Sequence, residues 1–470
     1  INISWIRVLD FTGLSDLQPP IHLLSSESSK AKIMRPSTLV LPLAVLAGSV
    51  TSRVTALDGR RLQSRETPQD ISPNKDSGAY RSVAYVTNWS IYGAKFLPEQ
   101  IAVDSISHVQ YAFADILTNG TVVSSDAWAD TQKQFGNGTQ GGGNSNDAHG
   151  LVEQLYKIKQ ANRNIKILLS IGGYTWSPKF VPVAADPVKR AAFVSSAVTL
   201  MGDWGMDGLD VDWEYPDTNE TNKNCVLLLK ELRKGLDDYS QQHTNGQYKF
   251  SLSMPAPAGP THYAAFDFKA MDANLDFWSI MAFDFAGSWD NTTGHQANVY
   301  PGPYPTTKAS INVAVSDYVK GGVSAGKINL GLPLYGRSFD KTTGLGKSYT
   351  ASTTGSIEGQ AGIWIYKDLP RTGATVLYDD VAKASYTMDN STGELITYDD
   401  LKSVQFKSEY IKEKQIGGVM FWESSQDKAG NDSIVRNMAK FLGKLESAQN
   451  WLSYPASQYA NIKNNMGKSV

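Results

Sequence analysis

Eight short apolar runs, most of them separated by amphipathic stretches, limit this chain's fold more than any other feature of its sequence. They are Ser82–Thr87, Ser107–Phe113, Ile165–Ile171, Gly208–Trp213, Lys249–Met254, Phe277–Phe283, Ile328–Leu334 and Gly418–Trp422. Their length and β-branched or aromatic content fit buried strands. Between several of them the apolar residues repeat at helical spacing, as in Leu151, Leu155 and Ile158, or Ala192, Phe193, Val198 and Met201. Eight strands alternating with helices predict an α/β fold, the (β/α)8 TIM barrel. One connection is too long for that plan. Residues 337–398, between strands seven and eight, carry Gly- and Thr-rich turns, Ile363–Tyr366 and a β-rich stretch from Ser385 to Tyr398. They predict a small inserted α+β domain, which leaves residues 80–336 and 399–447 as the catalytic barrel and 448–470 as a C-terminal tail.

The fourth run is charged. In M-D-G-L-D-V-D-W-E-Y-P, Met206–Pro216, the acids Asp210, Asp212 and Glu214 alternate with Leu209, Val211 and Trp213. Alternate strand residues face opposite ways, so the three carboxyls share one face. At about 6 Å apart, ionised neighbours repel by roughly 3 kcal/mol per pair at an effective dielectric near 20. At least one carboxyl therefore holds a proton near neutral pH. One acid kept protonated beside an ionised neighbour is what general acid cleavage of a glycosidic bond needs. A solvated strand end and a site for a hard cation are the competing readings. An EF-hand does not fit, because counting from Asp210 puts Tyr215 where the loop needs Gly and Thr221 where it needs Glu.

The charge balance of 44 basic and 46 acidic side chains, net −2, argues against nucleic acid or an anionic membrane as the main partner and suits a neutral polymer. A single cysteine, Cys225, excludes a disulfide framework and a cysteine zinc site. Its place beside Val226 and Leu227 predicts a buried, inert thiol. No metal or other cofactor is expected, and the protein is expected to be a monomer.

Residues 1–33 lack sustained periodicity. At Met34-Arg35 begins a pattern of charge, a short apolar core (Leu39–Ala47) and a small-residue exit at Val54-Thr55-Ala56. This reads as a secretory signal peptide over 34–56, too short for a membrane span. Met34 is then the expected natural start, with 1–33 as upstream, non-native sequence and 57–79 as a polar pro-segment or linker. Sequons at Asn119, Asn137, Asn219, Asn291, Asn390 and Asn431 suit a secreted, extracellular glycoprotein, whereas the one at Asn88 falls at a strand end and is expected to stay unused.

These residues carry a resemblance. D-G-L-D-V-D-W-E at Asp207–Glu214 is similar to the D-x-x-D-x-D-x-E signature of glycoside hydrolase family 18 chitinases. S-I-G-G at Ser170–Gly173, G-L-P-L-Y-G-R at Gly331–Arg337 and G-G-V-M-F-W-E at Gly417–Glu423 resemble three further motifs of that family, in order. The likeness spans about Tyr80 to Leu445 and is closest to secreted fungal members. It implies hydrolysis of β-1,4 bonds in N-acetylglucosamine polymers, with chitin or chito-oligosaccharides as partner. Glu214 would be the general acid and then the base for water. Asp212 would hold the substrate's N-acetyl N–H, and Asp210 would share a proton with Asp212. The attacking group would be the substrate's own acetamido oxygen, with overall retention, an exception to the two-carboxylate scheme. Same-face acids accord with that, since they leave no second carboxylate across the bond.

The resemblance further implies Trp422 as the floor under a distorted sugar. Met281, Asp284, Tyr335 and Arg337 would line the cleavage subsite, with Tyr85 and Phe113 beneath it. Gly172, Gly173 and Asp207 would be structural parts of the motifs. Met281 and Phe113 also suit plain barrel packing, and Arg337 could instead pair an acid of the insertion. Two positions depart from the pattern. The sixth-strand motif usually reads M-x-Y-D, but here Phe283 stands in place of Tyr, and losing a donor to the transition state can cost on the order of 3 kcal/mol. The Trp expected after Gly173 is Tyr174, with Trp176 two residues on. A chitin-binding lectin on the same barrel and an endo-β-N-acetylglucosaminidase acting on N-glycans are the alternative functions.

Overall fold

The computed structural model describes residues 79–136, 146–307, 309–357 and 359–468. The expected signal peptide and nearly all of the expected pro-segment lie outside the described residues, as does the sequon at Asn137. Eight parallel strands form the barrel: β1 Arg81–Thr87, β2 His108–Ile116, β3 Lys166–Gly172, β4 Gly208–Asp212, β5 Ser251–Pro257, β6 Phe277–Met281, β7 Ile328–Pro333 and β8 Gly418–Trp422. Each pairs with the next, and β8 pairs back with β1, Arg81 opposite Gly418, so the sheet has no edge.

Outward-facing residues of the strands make the main core with the surrounding helices. Leu209 and Val211 of β4 are fully buried there, together with Cys225, Leu228, Leu229, Leu232 and Leu236 of the helix Asn219–Thr244. Thr218 caps that helix by accepting from the Thr221 N–H, and Asp186 caps the helix Pro187–Asp203 by accepting from Val188 and Lys189. Burial pushes the Cys225 thiol up to about 12, which fits an inert packing residue. Trp213, just past β4, stacks on Phe180 at 5.2 Å and 9°.

Strand ends differ from the sequence expectation where proline or a turn intervenes. β5 runs on to Pro257, because a parallel neighbour accepts Pro255 and Pro257 where no N–H is required of them, Pro255 opposite Ser279 and Pro257 opposite Met281. β6 stops at Met281, two residues before Phe283, and Asp284 then turns the chain with φ 60°. β2 continues to Ile116 and turns into an antiparallel partner, Val122–Ser124, that the sequence reading lacked.

The long connection after β7 folds as an antiparallel sheet in the order Thr350–Ala351, Tyr335–Asp340, Glu394–Tyr398, Ala384–Asp389, Thr375–Asp379, with Ile363–Ile365 pairing Tyr335–Asp340. Its helical part, among the described residues, is the 3-10 turn Tyr366–Asp368, and the strand Tyr335–Asp340 starts two residues after β7. The C-terminal segment is tightly packed. The Asn450 side-chain amide donates to the carbonyls of Lys159, Asn162 and Ile165, and buried Tyr454 donates to Met206 O at 2.9 Å. Among the described residues no helix is long and apolar enough to cross a membrane.

Candidate active site

β4 sends Asp210 and Asp212 into the barrel interior, and Glu214 follows two residues beyond the strand, at its C-terminal end. Asp210 is fully buried and takes four donors. Its Oδ2 accepts from Tyr85 Oη (2.8 Å) and Ser170 Oγ (2.7 Å), and its Oδ1 from Gln110 Nε2 (2.7 Å) and Ser253 Oγ (2.6 Å). Burial pushes Asp210 up to about 6, while the hydrogen bonds from Ser253, Ser170 and Tyr85 pull it back. Asp212 is also buried, and its Oδ1 has no hydrogen-bond partner among the described residues. Burial, with the charges of Glu214 and Asp210, drives it well above the usual carboxylate range.

Glu214 is half-buried at the mouth. Its pKa is raised to about 7, by burial first and by the Asp284 charge, with interactions of the Tyr215 side chain and the Tyr174 backbone opposing the rise. Its backbone N–H donates to Ser177 Oγ at 2.6 Å, and that hydroxyl donates to Gly173 O at 2.9 Å. Gly172 and Gly173 explain their own presence. Both have positive φ, and a Cβ would lie 2.3 Å from Asp212 O at Gly172 and 2.6 Å from the Phe113 ring at Gly173. Burial thus favours the protonated forms of Glu214 and Asp212, and Asp210, with four donors, is the group best able to carry charge. The same geometry disfavours the cation reading, because Asp210's lone pairs are filled by protein donors.

Aromatic rings line the interior beside the ladder. Trp422, ending β8, meets Tyr85 edge-on at 5.2 Å and lies nearly parallel to Phe113 at 5.9 Å and 23°. Trp89 is 6.0 Å from Phe113, and Met281, Phe283 and Trp176 pack against the same cluster. Tyr174 is 38% exposed at the rim. Asp284, past the end of β6, accepts from Tyr335 Oη at 2.7 Å and from Arg337 Nε on the same oxygen. Arg337 therefore pairs Asp284, an acid of the barrel, and its guanidinium lies 4.6 Å over the Trp289 ring. Asp284 also supplies an acid from a second strand near Glu214, where same-face geometry had suggested none. Phe283 meets Tyr335 edge-on at 6.3 Å and offers no hydroxyl.

Asp207 stands apart from the ladder, at the other end of β4. It pairs with buried Lys159 (2.9 Å) and accepts from Ile167 N, Trp451 N and Tyr248 Oη. Sequence reasoning missed Gln110, Ser170, Ser177, Ser253, Tyr215 and Trp289 as site residues. Three of them had a signal: Gln110 and Ser253 are polar interruptions of apolar runs, and Ser170 opens the S-I-G-G motif. A cavity of about 290 Å³, lined by residues including Val198, Thr199, Tyr239 and His243, lies between the helices Pro187–Asp203 and Asn219–Thr244, and no acid of the ladder lines it.

A barrel whose strand ends gather buried carboxyls beside a cluster of aromatic rings has the parts of a glycoside hydrolase site. The chain belongs to glycosyl hydrolases family 18, whose pattern matches residues 81–427, and it is a chitinase of the fungal type. It is 46% identical over 399 residues to Endochitinase 1 of Metarhizium robertsii, covering 84% of this chain and 93% of that one. It is 43% identical over 415 residues to Chitinase 1 of Aphanocladium album, covering 88% and 97%. Among solved structures, the catalytic domain of psychrophilic chitinase B from Arthrobacter TAD20 superposes with a TM-score of 0.72 at 28% identity, covering 80% of this chain and 99% of that chain. Human YKL-39, described as a pseudo-chitinase with retained chitooligosaccharide binding, superposes with a TM-score of 0.68 at 28% identity, covering 78% of this chain and 100% of that chain.

Proposed function

We propose that this protein cleaves β-1,4 bonds of N-acetylglucosamine polymers by a retaining, substrate-assisted mechanism, with Glu214 as general acid and then general base. The observation that carries it is the ladder itself: a half-buried Glu214 pushed up to about 7 beside a buried Asp212 that burial and the neighbouring charges also drive up. A group with that affinity holds its proton at the working pH and releases it to a leaving sugar oxygen. Asp212 Oδ1, buried and without a partner among the described residues, is suited to accept an amide N–H from the substrate. That contact would steer the acetamido oxygen toward the anomeric carbon, while Asp210 supplies negative charge beneath. The aromatic faces of Trp422 and its neighbours suit the apolar face of a pyranose.

Asp284 is a poor candidate for attacking the sugar. Its Oδ1 is held by Tyr335 and charge-paired to Arg337, which supports a substrate-binding role. An extracellular site of action is supported by the exposure of Asn119, Asn219, Asn291, Asn390 and Asn431. Asn88 is buried, and its amide is spent on Ser125 and Asp130.

Phe283 favours a second reading, a weak hydrolase that chiefly binds chitin. Following the anomeric protons of freshly released chito-oligosaccharides by NMR tests the first: β-anomer should appear before mutarotation. Initial α-anomer would overturn retention, and no product at any enzyme concentration would leave the binding reading.

A further inference from the structure

Glu214 stands outside the strand pairing that holds the other two acids. The pairing of β4 with β5 ends at Asp210 opposite Ser253, and its pairing with β3 ends at Asp212 opposite Gly172. Glu214 comes two residues past the last paired position, and its backbone N–H is held by a side chain instead. After β3 the positive φ of Gly172 and Gly173 turns the chain into the short helical turn Gly173–Trp176, and the buried Ser177 follows it. Ser177 Oγ accepts from the Glu214 N–H at 2.6 Å. The hydroxyl's one proton goes to Gly173 O at 2.9 Å, with Asp212 O more distant at 3.4 Å, so it presents a lone pair to Glu214. Three residues on, Phe180 stacks on Trp213, the residue before Glu214. The two segments are thus joined twice, once through rings and once through the hydroxyl.

We infer that Ser177 is a positioning residue for Glu214, its hydroxyl fixing the peptide from which the acid's side chain extends. The inference rests on Glu214 being the general acid. Proton transfer needs the carboxyl within hydrogen-bond reach of the leaving oxygen, and a small misplacement there is costly. With the hydroxyl gone, the N–H has lost a buried acceptor, and the peptide moves to find another. The Phe180–Trp213 stack does not involve the hydroxyl, so the segments stay joined. The sugar contacts proposed for Trp422, Asp284, Tyr335 and Arg337 come from other parts of the barrel mouth. Loss of Ser177 therefore falls on the delivery of the proton and not on the grip of the substrate.

The test sets two leaving groups side by side. Wild type, Ser177→Ala and Glu214→Gln are compared by kcat/KM on chitotetraose and on the nitrophenyl glycoside of chitobiose, whose release of nitrophenol is followed by absorbance. That ratio covers the steps up to departure of the leaving group, and nitrophenol, far more acidic than a sugar hydroxyl, departs with little help from an acid. Ser177→Ala should lower kcat/KM roughly tenfold on chitotetraose and by less than about threefold on the nitrophenyl glycoside. Retained release of nitrophenol also shows that the variant is folded. A merely structural role would lower both values by the same factor. Glu214→Gln should show the same selectivity in a stronger form. If it does and Ser177→Ala loses both activities equally, or neither, the inference is overturned and the general acid stands. If Glu214→Gln itself shows no selectivity, the assignment of the general acid fails, and the role of Ser177 with it.

Discussion

At the scale of single residues, the ladder's behaviour follows from who surrounds each carboxyl. Asp210 sits near 6 and Glu214 near 7, both lifted first by burial. The proposed mechanism requires Asp210 ionised and Glu214 protonated, so on that reading kcat/KM should be bell-shaped, falling below about 6 and above about 7. Because the Asp284 charge raises Glu214, Asp284→Asn should move the alkaline limb to lower pH, besides weakening substrate binding; a limb that stays put or rises would contradict the assignment. Phe283 is a separate matter. Restoring a phenol there, Phe283→Tyr, should raise kcat, by an amount bounded at about 3 kcal/mol for one transition-state donor. Unchanged or lower kcat in steady-state assays would mean that another donor already fills the role. The acids were legible in the sequence because strand alternation needs no tertiary information. Gln110, Ser170 and Ser253 were not assigned, because their meeting on Asp210 spans sequence separations of 100, 40 and 43 residues and depends on strand register.

At the scale of elements, all eight barrel strands announce themselves as apolar runs, and their ends do not. β5 overran its expected end through two prolines, and β6 fell short at the turn before Asp284, since local composition does not say where a neighbour stops pairing. The insertion reads as β from Ser385 onward, and its expected helical share shrinks to one short turn because its Gly-rich segments bend between strands. The C-terminal segment, expected as a tail, gives no periodic signal. Its hold comes from single polar side chains such as Asn450, whose amide donates to the carbonyl of Lys159 in the helix Gly150–Ala161 and to those of Asn162 and Ile165 in the turn before β3. Removing that amide strands buried acceptors at about 1–3 kcal/mol in total or more. Asn450→Ala should therefore lower the urea midpoint while kcat below the transition stays near wild type. An unchanged midpoint would mean that the segment is not a structural part of the barrel.

At the scale of the whole molecule, the active site is kept at the expense of stability. Glu214 binds its proton more tightly folded, near 7, than an unfolded glutamate near 4.5 does. Its burial is therefore tolerated fully below about pH 4.5, and stability falls as pH rises through about 7. Replacing the group with a neutral amide removes that loss. Glu214→Gln should be more stable than wild type by up to about 3 kcal/mol at pH 8 and indistinguishable near pH 4, by denaturant titration. A constant difference across that range would show that Glu214 does not titrate as described. The closed sheet, legible from the number and spacing of its runs, is what makes this tolerable, because it fixes the ladder from both neighbouring strands at once.

The most direct measurement is made on the same variant. Hydrolysis of a chito-oligosaccharide by Glu214→Gln should drop on the order of 10³-fold or more, while its dissociation constant, read by calorimetry, stays within about threefold of that of wild type under non-hydrolysing conditions. Hydrolysis within tenfold of wild type would contradict Glu214 as the proton donor.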